Sequence, residues 1–290
     1  MKRVMYLTIV LMTVVVATVI WAQRDFSNVK IKTIHAAGKV YMLEGRGGNI
    51  GVSVGDDGIL LIDSQFEGLA DKIRFAIQKL GHDKPKFVLN THFHGDHTGG
   101  NIVFGREAPV IAHHNVRKRL ETNAAAKESL PVVTFDTALS LHFNGEEIRV
   151  THFPHSHTDG DSVIFFTESN VVHAGDLFFS GRFPYVDIGS GGDVKGLTQS
   201  IEKILSTLAA DVKIIPGHGP LSGVAELKTY HRMLVETTQL IADQIKEGKD
   251  LKAITEKGLS DEWKSWGSGF ISTDRWIETV YKNLTQKGRK

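Results

Sequence analysis

The sequence has no cysteine among its 290 residues and almost no excess of charge of either sign. The absence of cysteine excludes disulfide scaffolds, thiolate zinc sites, iron–sulfur clusters and cysteine nucleophiles. The 34 basic and 33 acidic residues leave a formal net charge of +1. A nucleic-acid binder needs a clear basic excess to neutralise phosphates, so we expect no nucleic-acid partner. What the sequence does contain is histidine, with 14 residues that can serve as metal ligands and proton carriers.

The N-terminus has the pattern of an export signal. Lys2 and Arg3 precede an uncharged apolar run from Val4 to Ala22, and a basic start followed by an apolar stretch is typical of a secretory signal peptide. The run also just reaches the roughly 18 apolar residues that a membrane span needs, so residues 1–22 are either a cleaved signal peptide or a retained membrane anchor. We expect the rest of the chain to be exported, periplasmic or secreted, and membrane-bound only if the anchor is kept.

Residues 23–290 show no Pro/Ser-rich linker and no solenoid repeat, so we expect one folded domain with a helical extension at its C-terminus. Short β-rich runs come first in each half and amphipathic helices follow. This order favours two β-sheets packed face to face with helices outside, a four-layer αββα sandwich of the α+β class. The predicted strands are Val29–His35, Lys39–Glu44, Ile50–Val54, Ile59–Asp63, Lys86–Asn90, Val132–Phe135, Leu139–Phe143, Ile148–Phe153, Ser162–Thr167, Val171–Ala174 and Val212–Ile215. The predicted helices run from Phe66 to Leu80, from the Asp193 cap to Leu208, and from Val224 to Lys246.

The segment from Thr91 to His97 predicts a metal site. It holds His92, His94, Asp96 and His97 directly after the predicted strand Lys86–Asn90. At a strand end, side chains two residues apart point to the same side, so His92 and His94 can bind one ion together. Gly95 allows a sharp turn, which would direct Asp96 and His97 to a second ion.

Three further segments place single ligands after predicted strands: His157, Asp176 and His218. A β-scaffold presents such residues on one rim, so the three complete a set of seven nitrogen and oxygen ligands. That set suits two Zn²⁺ ions and does not exclude other divalent metals.

These motifs together resemble those of the metallo-β-lactamase superfamily, over about residues 29–245. The matching pattern is His-x-His-x-Asp-His, the later His-Thr-x-Asp turn, the Gly-Asp and the Pro-Gly-His-Gly. By this resemblance, His92, His94 and His157 hold the first zinc. Asp96, His97 and His218 hold the second zinc, and Asp176 bridges the two ions.

The site differs from that of the cysteine-bearing β-lactamase subclass. That subclass has Cys where this chain has Asp176, and Lys where this chain has Phe179. The set of ligands is similar to the cysteine-free subclass, and the bridging Asp is similar to glyoxalase II and lactonases. The basic C-terminal motif with which glyoxalase II binds glutathione has no clear counterpart in Leu251–Lys290.

The leading hypothesis is an exported dinuclear zinc hydrolase that attacks a cyclic amide or ester-type carbonyl of a small molecule with a metal-bound hydroxide. A β-lactam is its first candidate substrate. Asp96 is the expected catalytic residue, as a ligand that orients the nucleophile and passes its proton to the leaving group. Two alternatives stay open: a lactonase or a glyoxalase II-like thioesterase, and a non-catalytic metal-binding accessory protein of an exported redox or cofactor pathway.

Substrate contacts are expected in the stretch after Asp176. Arg182 can hold a substrate carboxylate by a bidentate pair, with Phe183 and Tyr185 as an apolar wall, although a solvated arginine on a packed loop is equally compatible with the sequence. The glycine-rich segment Glu44–Ile50 is either a flap over the site or an ordinary hairpin turn. Asp159 or Asp161 either orients a metal-binding histidine or caps a turn.

Overall fold

The computed structural model describes residues 25–286, and two β-sheets form its centre. The signal or anchor predicted for residues 1–22 lies outside the described residues. Among residues 25–286, no helix combines the length and the hydropathy that crossing a bilayer would require.

The first sheet has seven strands in sequence order. Its first four strands pair antiparallel and the remaining pairs are parallel. The strands are β1 Lys32–Ala37, β2 Val40–Glu44, β3 Ile50–Gly55, β4 Gly58–Ile62, β5 Pro85–Leu89, β6 Val110–His113 and β7 Val133–Phe135.

The second sheet has five strands in the order β12-β11-β10-β9-β8, antiparallel except for the β11–β12 pair. The strands are β8 Ala138–Phe143, β9 Glu146–His152, β10 Ser162–Phe166, β11 Val171–Phe179 and β12 Lys213–His218. The helices are α1 Ala70–Gln78, α2 Gly95–Thr98, α3 Asn101–Phe104, α4 His114–Thr122, α5 Val194–Leu205, α6 Val224–Lys246, α7 Leu251–Lys257, α8 Asp261–Lys264 and α9 Thr273–Gln286.

Strand β4 shows why the layers stack as they do. It is buried on both faces, and its side chains alternate between them. Leu60 and Ile62 pack into the core between the two sheets, whereas Ile59 and Leu61 pack against α1. On the far side, α5 and α6 cover the second sheet. The predicted four-layer αββα arrangement is therefore confirmed.

The C-terminal helices pack on α6 and extend the outer layer of the second sheet. Trp263 and Trp276 are buried in this layer, and Trp266 packs against it. Trp276 donates from Nε1 to the Thr237 hydroxyl of α6 at 2.9 Å. A helix–helix contact thus fixes the position of α9.

Several elements differ from the sequence prediction. Strand β11 continues to Phe179, so Asp176 lies within a strand rather than after it. The register between β11 and β12 shifts around Gly175, which has φ +51°, so the strand bulges and presents Asp176 to the site. Helix α1 begins at Ala70, after a 3₁₀ turn at Glu67–Leu69. Strand β6 and helix α4 were not predicted; α4 is mostly polar and lacks a clear apolar repeat.

Candidate metal centre

Three imidazole nitrogens converge at the rim shared by the two sheets. The Nδ1 of His94 lies 3.1 Å from the Nε2 of His92 and 2.9 Å from the Nε2 of His157. Burial, followed by the charge of His97, holds the pKa of His92 well below its usual range, and burial lowers the pKa of His157 to about 4. Both rings are therefore neutral at pH 7, which is the form that binds a metal ion.

The opposite nitrogen of each ring bonds to a fixed partner. His94 Nε2 lies 3.0 Å from Asp187 Oδ2, and His157 Nδ1 lies 2.7 Å from the backbone oxygen of Tyr185. The third ring, His92, has its Nδ1 3.0 Å from the Thr91 hydroxyl. Such partners fix the tautomer and the orientation of metal-binding histidines, so the converging nitrogens keep their lone pairs free.

Asp96, His97 and His218 form a second group beside the first. Their candidate ligand atoms lie within 4.8 Å of one another. Oδ2 of Asp96 is 3.4 Å from Nε2 of His218 and 3.9 Å from Nε2 of His97. The Nδ1 of His97 lies 2.7 Å from Oδ2 of Asp63, a fully buried carboxylate. Sequence reasoning missed Asp63 and Asp187; the available signal for Asp63 was its place directly after the buried strand β4.

Asp176 lies between the two groups and offers one oxygen to each. Its Oδ2 is 3.4 Å from Nε2 of His157 and 3.7 Å from Nε2 of His92. Its Oδ1 is 3.0 Å from Nε2 of His97 and 3.4 Å from Nε2 of His218. The structure therefore brings all seven predicted ligands together, in the two groups expected, with Asp176 between them.

The carboxylates of this cluster lie beside cationic imidazoles. Burial opposes the shift, but Asp176 raises the pKa of His97 well above its usual range and that of His218 to about 9, so a bound cation would take the place of the protons on these two rings. Burial alone would raise the pKa of Asp176, but His97, His218 and neighbouring rings hold it well below its usual range. Burial likewise opposes the shift at Asp96, where His97 and His218 lower the pKa to about 2. Both carboxylates are thus ionised at neutral pH, although they are largely enclosed by protein.

Two observations test whether this residue set fits metal ions. The Nε2 of His97 and the Oδ1 of Asp176 are buried and close, yet neither forms a hydrogen bond of correct geometry. Both atoms are aimed at a common space that a cation would satisfy. A side chain at Gly48 would overlap the ring of His97, and one at Gly217 would overlap Oδ1 of Asp176. The residues fit two divalent ions bound by nitrogen and oxygen.

A cavity of about 680 Å³ opens above the two groups. Asp96, Asp176, His94 and His218 lie at its floor, and Arg182 and Tyr185 belong to its wall, as the sequence predicted. The ring of Phe179 stacks on that of His218 at 5.0 Å. Sequence reasoning missed the lining residues Phe66, Phe270, Ile271 and Arg275, which come from distant segments. Arg46, also in the lining, belongs to the glycine-rich segment Glu44–Ile50.

The glycine-rich loop between β2 and β3 is pinned to the site. The backbone N–H of Gly48 donates to the backbone carbonyl of Asp96 at 3.1 Å, and that of Asn49 donates to the backbone carbonyl of Gly217 at 2.7 Å. The Asn49 side chain adds a bond to the Pro216 carbonyl at 3.0 Å. These bonds hold the loop across both sheets.

Asp159 and Asp161, in the turn that holds His157, bond to residues other than the candidate metal ligands. Asp161 accepts hydrogen bonds from the backbone and hydroxyl of Thr158, both at 2.6 Å, and so caps the turn. Asp159 forms a bidentate pair with Arg119 at 2.7 and 2.8 Å. The residue that orients His94 is instead Asp187.

Known proteins are similar to this chain in sequence and in fold. The family model for the metallo-beta-lactamase superfamily matches residues 43–218. Among curated proteins, the probable metallo-hydrolase YqgX of Bacillus subtilis (strain 168) is 29% identical over 182 residues, which cover 59% of this chain and 84% of that protein. A hydroxyacylglutathione hydrolase of Nitrosococcus oceani is 30% identical over 138 residues, which cover 45% of this chain and 47% of that protein. The match thus spans about half the length of this second relative.

Solved structures agree on the fold. A metallo-beta-lactamase from Pontibacter korlensis superposes with a TM-score of 0.63 at 18% identity, covering 71% of this chain and 99% of that one. The DIM-1 metallo-beta-lactamase superposes with a TM-score of 0.62 at 19% identity, covering 72% of this chain and 99% of that one.

Proposed function

This chain belongs to the metallo-beta-lactamase superfamily, and on that basis we propose that it is an exported, dinuclear zinc-dependent hydrolase of a cyclic amide or ester-type carbonyl. It is a metal-dependent hydrolase, and its substrate is a small molecule. β-Lactams are the first substrates to test.

The observation that carries the proposal is the position of Asp176. One buried carboxylate directs Oδ1 to His97 and His218, and Oδ2 to His92 and His157. A carboxylate shared between two sets of histidine nitrogens suits two neighbouring cations, because it would neutralise part of the charge of both. This supports two ions rather than one.

The ions would supply water activation and carbonyl polarisation when bound. The protein supplies orientation and proton transfer. Asp96 lines the cavity and its side chain is 30% exposed. Its Oδ2 faces His218, so Oδ1 is the oxygen that can hold the attacking water by a hydrogen bond, receive its proton and return it to the leaving group.

Tyr185 can contribute a hydrogen-bond donor beside the reaction site. Its ring lies 5.7 Å from that of His94. Burial and the nearby charge of Asp187 raise the pKa of its hydroxyl, so the phenol stays protonated at neutral pH. Arg182, on the same wall, can hold a carboxylate of the substrate.

The test is hydrolysis by purified protein loaded with zinc. We expect β-lactam ring opening that is lost after chelation and in Asp96→Ala, together with two metal ions per chain by elemental analysis. A matched control, Asp159→Ala, removes a carboxylate that pairs with Arg119 and should keep turnover. A protein that holds two ions but opens no β-lactam would rule out this substrate.

A second candidate is hydrolysis of a lactone or a thioester. One reason is Phe179, whose apolar ring stacks on His218 at the position where the cysteine-bearing β-lactamases have a lysine. The other is the similarity to a hydroxyacylglutathione hydrolase. A panel of aryl lactones and acyl thioesters, run beside the β-lactams, separates the two by the ratio of kcat/KM values.

Export is proposed from the N-terminal pattern alone. Fusion of residues 1–30 to a reporter that matures only outside the cytoplasm should give an active reporter. Exchange of Lys2 and Arg3 for Glu should reduce its activity, and an inactive parent fusion would contradict export.

A further inference from the structure

The C-terminal segment forms one wall of the cavity. Phe270, Ile271 and Arg275 belong to its lining, and all three lie beyond residue 218, where the match to the family model ends. The part of the chain that the family shares therefore lines only some of the space above the metal-binding groups.

Direct packing holds this segment against the loop that follows β11. The backbone N–H of Phe183 donates to the carbonyl of Trp266 at 3.2 Å. Gly269 lies against the aliphatic part of Arg182, since a methyl group there would be 3.4 Å from the Cβ of Arg182. Ile271 is buried in the core beside them. The segment is thus fixed at the mouth of the cavity.

A row of side chains leads from the metal-binding groups to this segment. The ring of Tyr185 contacts that of His94 at 5.7 Å and meets that of Phe270 edge-on at 6.5 Å. Arg275 comes next, with its Cζ 5.4 Å from the centre of the Phe270 ring. Along the wall, the imidazole of His94 is therefore followed by the rings of Tyr185 and Phe270 and then by the guanidinium of Arg275.

No carboxylate of the described residues forms an ion pair with the arginines at the mouth of the cavity. Within residues 25–286, no ion pair or side-chain hydrogen bond involves the guanidinium of Arg46, Arg182 or Arg275. Four arginines elsewhere pair with carboxylates: Arg74, Arg117, Arg119 and Arg232. Phe270 is 76% exposed, the largest exposure among the large apolar side chains described. The mouth thus combines unpaired positive charge with an exposed aromatic ring.

We propose that Arg182 and Arg275 bind a carboxylate of the substrate, and that Phe270 packs on the apolar part between this carboxylate and the reacting carbonyl. The substrate class is then an acyl compound with a free carboxylate and an aryl or alkyl body. This inference rests on the proposed hydrolase function. A planar guanidinium suits a carboxylate because it offers paired N–H donors.

The test compares matched substrates that differ only in charge. A β-lactam acid and its methyl ester form one pair, and an acyl thioester of thioglycolate and of its methyl ester form another. We expect the wild type to favour the acid at least tenfold in kcat/KM, and Arg182→Gln/Arg275→Gln to bring the ratio to about one. Lys282→Gln, which removes a charge from α9 outside the cavity, should keep the wild-type ratio. Phe270→Ala should raise KM for acid and ester alike. An unchanged ratio in the double variant would refute the proposal.

A binding measurement keeps this result separate from the proposed reaction. Calorimetry of the zinc-loaded protein with 4-phenylbutanoate and with its uncharged amide reports carboxylate recognition without turnover. If no substrate is hydrolysed but the wild type prefers the carboxylate and the double variant loses that preference at least fivefold, the hydrolase proposal fails and the subsite stands. If the double variant keeps the preference, or the wild type has none, the subsite is wrong.

Discussion

Oδ2 of Asp63 lies 2.7 Å from Nδ1 of His97, and both side chains are fully enclosed by protein. The same carboxylate accepts hydrogen bonds from the backbone N–H and the hydroxyl of Thr91, at 2.8 and 2.7 Å. Asp63 thereby joins the end of β4 to the start of the metal motif. Its φ of +66° is a left-handed conformation that Asp and Asn tolerate better than most residues.

Asp63→Asn should weaken binding of the second ion by about 10- to 100-fold. An amide offers one acceptor oxygen where the carboxylate serves three donors, so the orientation of His97 is no longer fixed. Titration of zinc against a chromogenic chelator measures the two affinities. Asp57→Asn, a carboxylate that accepts a bond from Asn144 far from the site, is the matched control. Unchanged affinity for both ions would contradict the role of Asp63.

Gly217→Ala should abolish the binding of the second ion, because the new methyl group overlaps the oxygen of Asp176 that faces the second group. Gly95→Ala changes a glycine inside the metal motif itself. A methyl group there would have no neighbour within 4 Å, so this variant should keep two ions. Native mass spectrometry after dialysis counts the ions. Two ions retained by Gly217→Ala would show that Asp176 does not bind metal in this position.

We expect the free energy of unfolding to fall in acid because the side chain of His113 is uncharged in the folded protein. Burial, then the charges of His152 and His114, lower its pKa to about 4, and its ring stacks on that of His152 at 3.7 Å. The unfolded chain takes up a proton near pH 6.5, but the folded chain does so only near pH 4. The free energy of unfolding therefore falls as the pH is lowered through this window, by about 1 kcal/mol for each unit of pKa difference.

The variant His113→Asn isolates this effect, because Asn can still accept the bond from the Asn115 N–H that His113 accepts at the start of α4. Denaturant unfolding of chelator-treated proteins at several pH values gives the difference between wild type and variant. The wild type should lose stability relative to the variant between pH 6.5 and pH 4. A difference that does not depend on pH would refute the assignment.

Trp276→Ala should destabilise the protein by about 3–5 kcal/mol, the usual cost of removing a buried tryptophan. The ring of Trp276 is parallel to that of Phe183 at 5.7 Å, and Phe183 lines the cavity. The variant should therefore also raise KM while metal content stays unchanged. Trp276→Phe keeps an aromatic ring and should cost less in both measurements. A destabilised variant with unaltered KM would show that Trp276 of α9 does not position the wall of the substrate cavity.

The layers and the grouping of the candidate ligands could be predicted because both depend on local patterns. Alternation of apolar residues marks a strand such as β4, and ligands close together in sequence, such as His92 and His94, must meet at a strand end. Asp187 and Arg275 could not be found in this way. Each reaches the site through tertiary packing, from a long loop and from the last helix, and neither has a local motif. Asp63 was within reach, since it follows a buried strand on the same rim.

The candidate ligands are divided between the two halves of the chain. The segment from His92 to His97 follows strand β5 of the first sheet, whereas His157, Asp176 and His218 come from the part of the chain that forms the second sheet. Neither half carries a complete set for either ion, because His157 completes the first group and His218 the second. The chain can therefore hydrolyse a substrate only after both halves have been made and have folded together. A nascent chain that has made only its first half is catalytically silent, and so is a proteolytic fragment of either half.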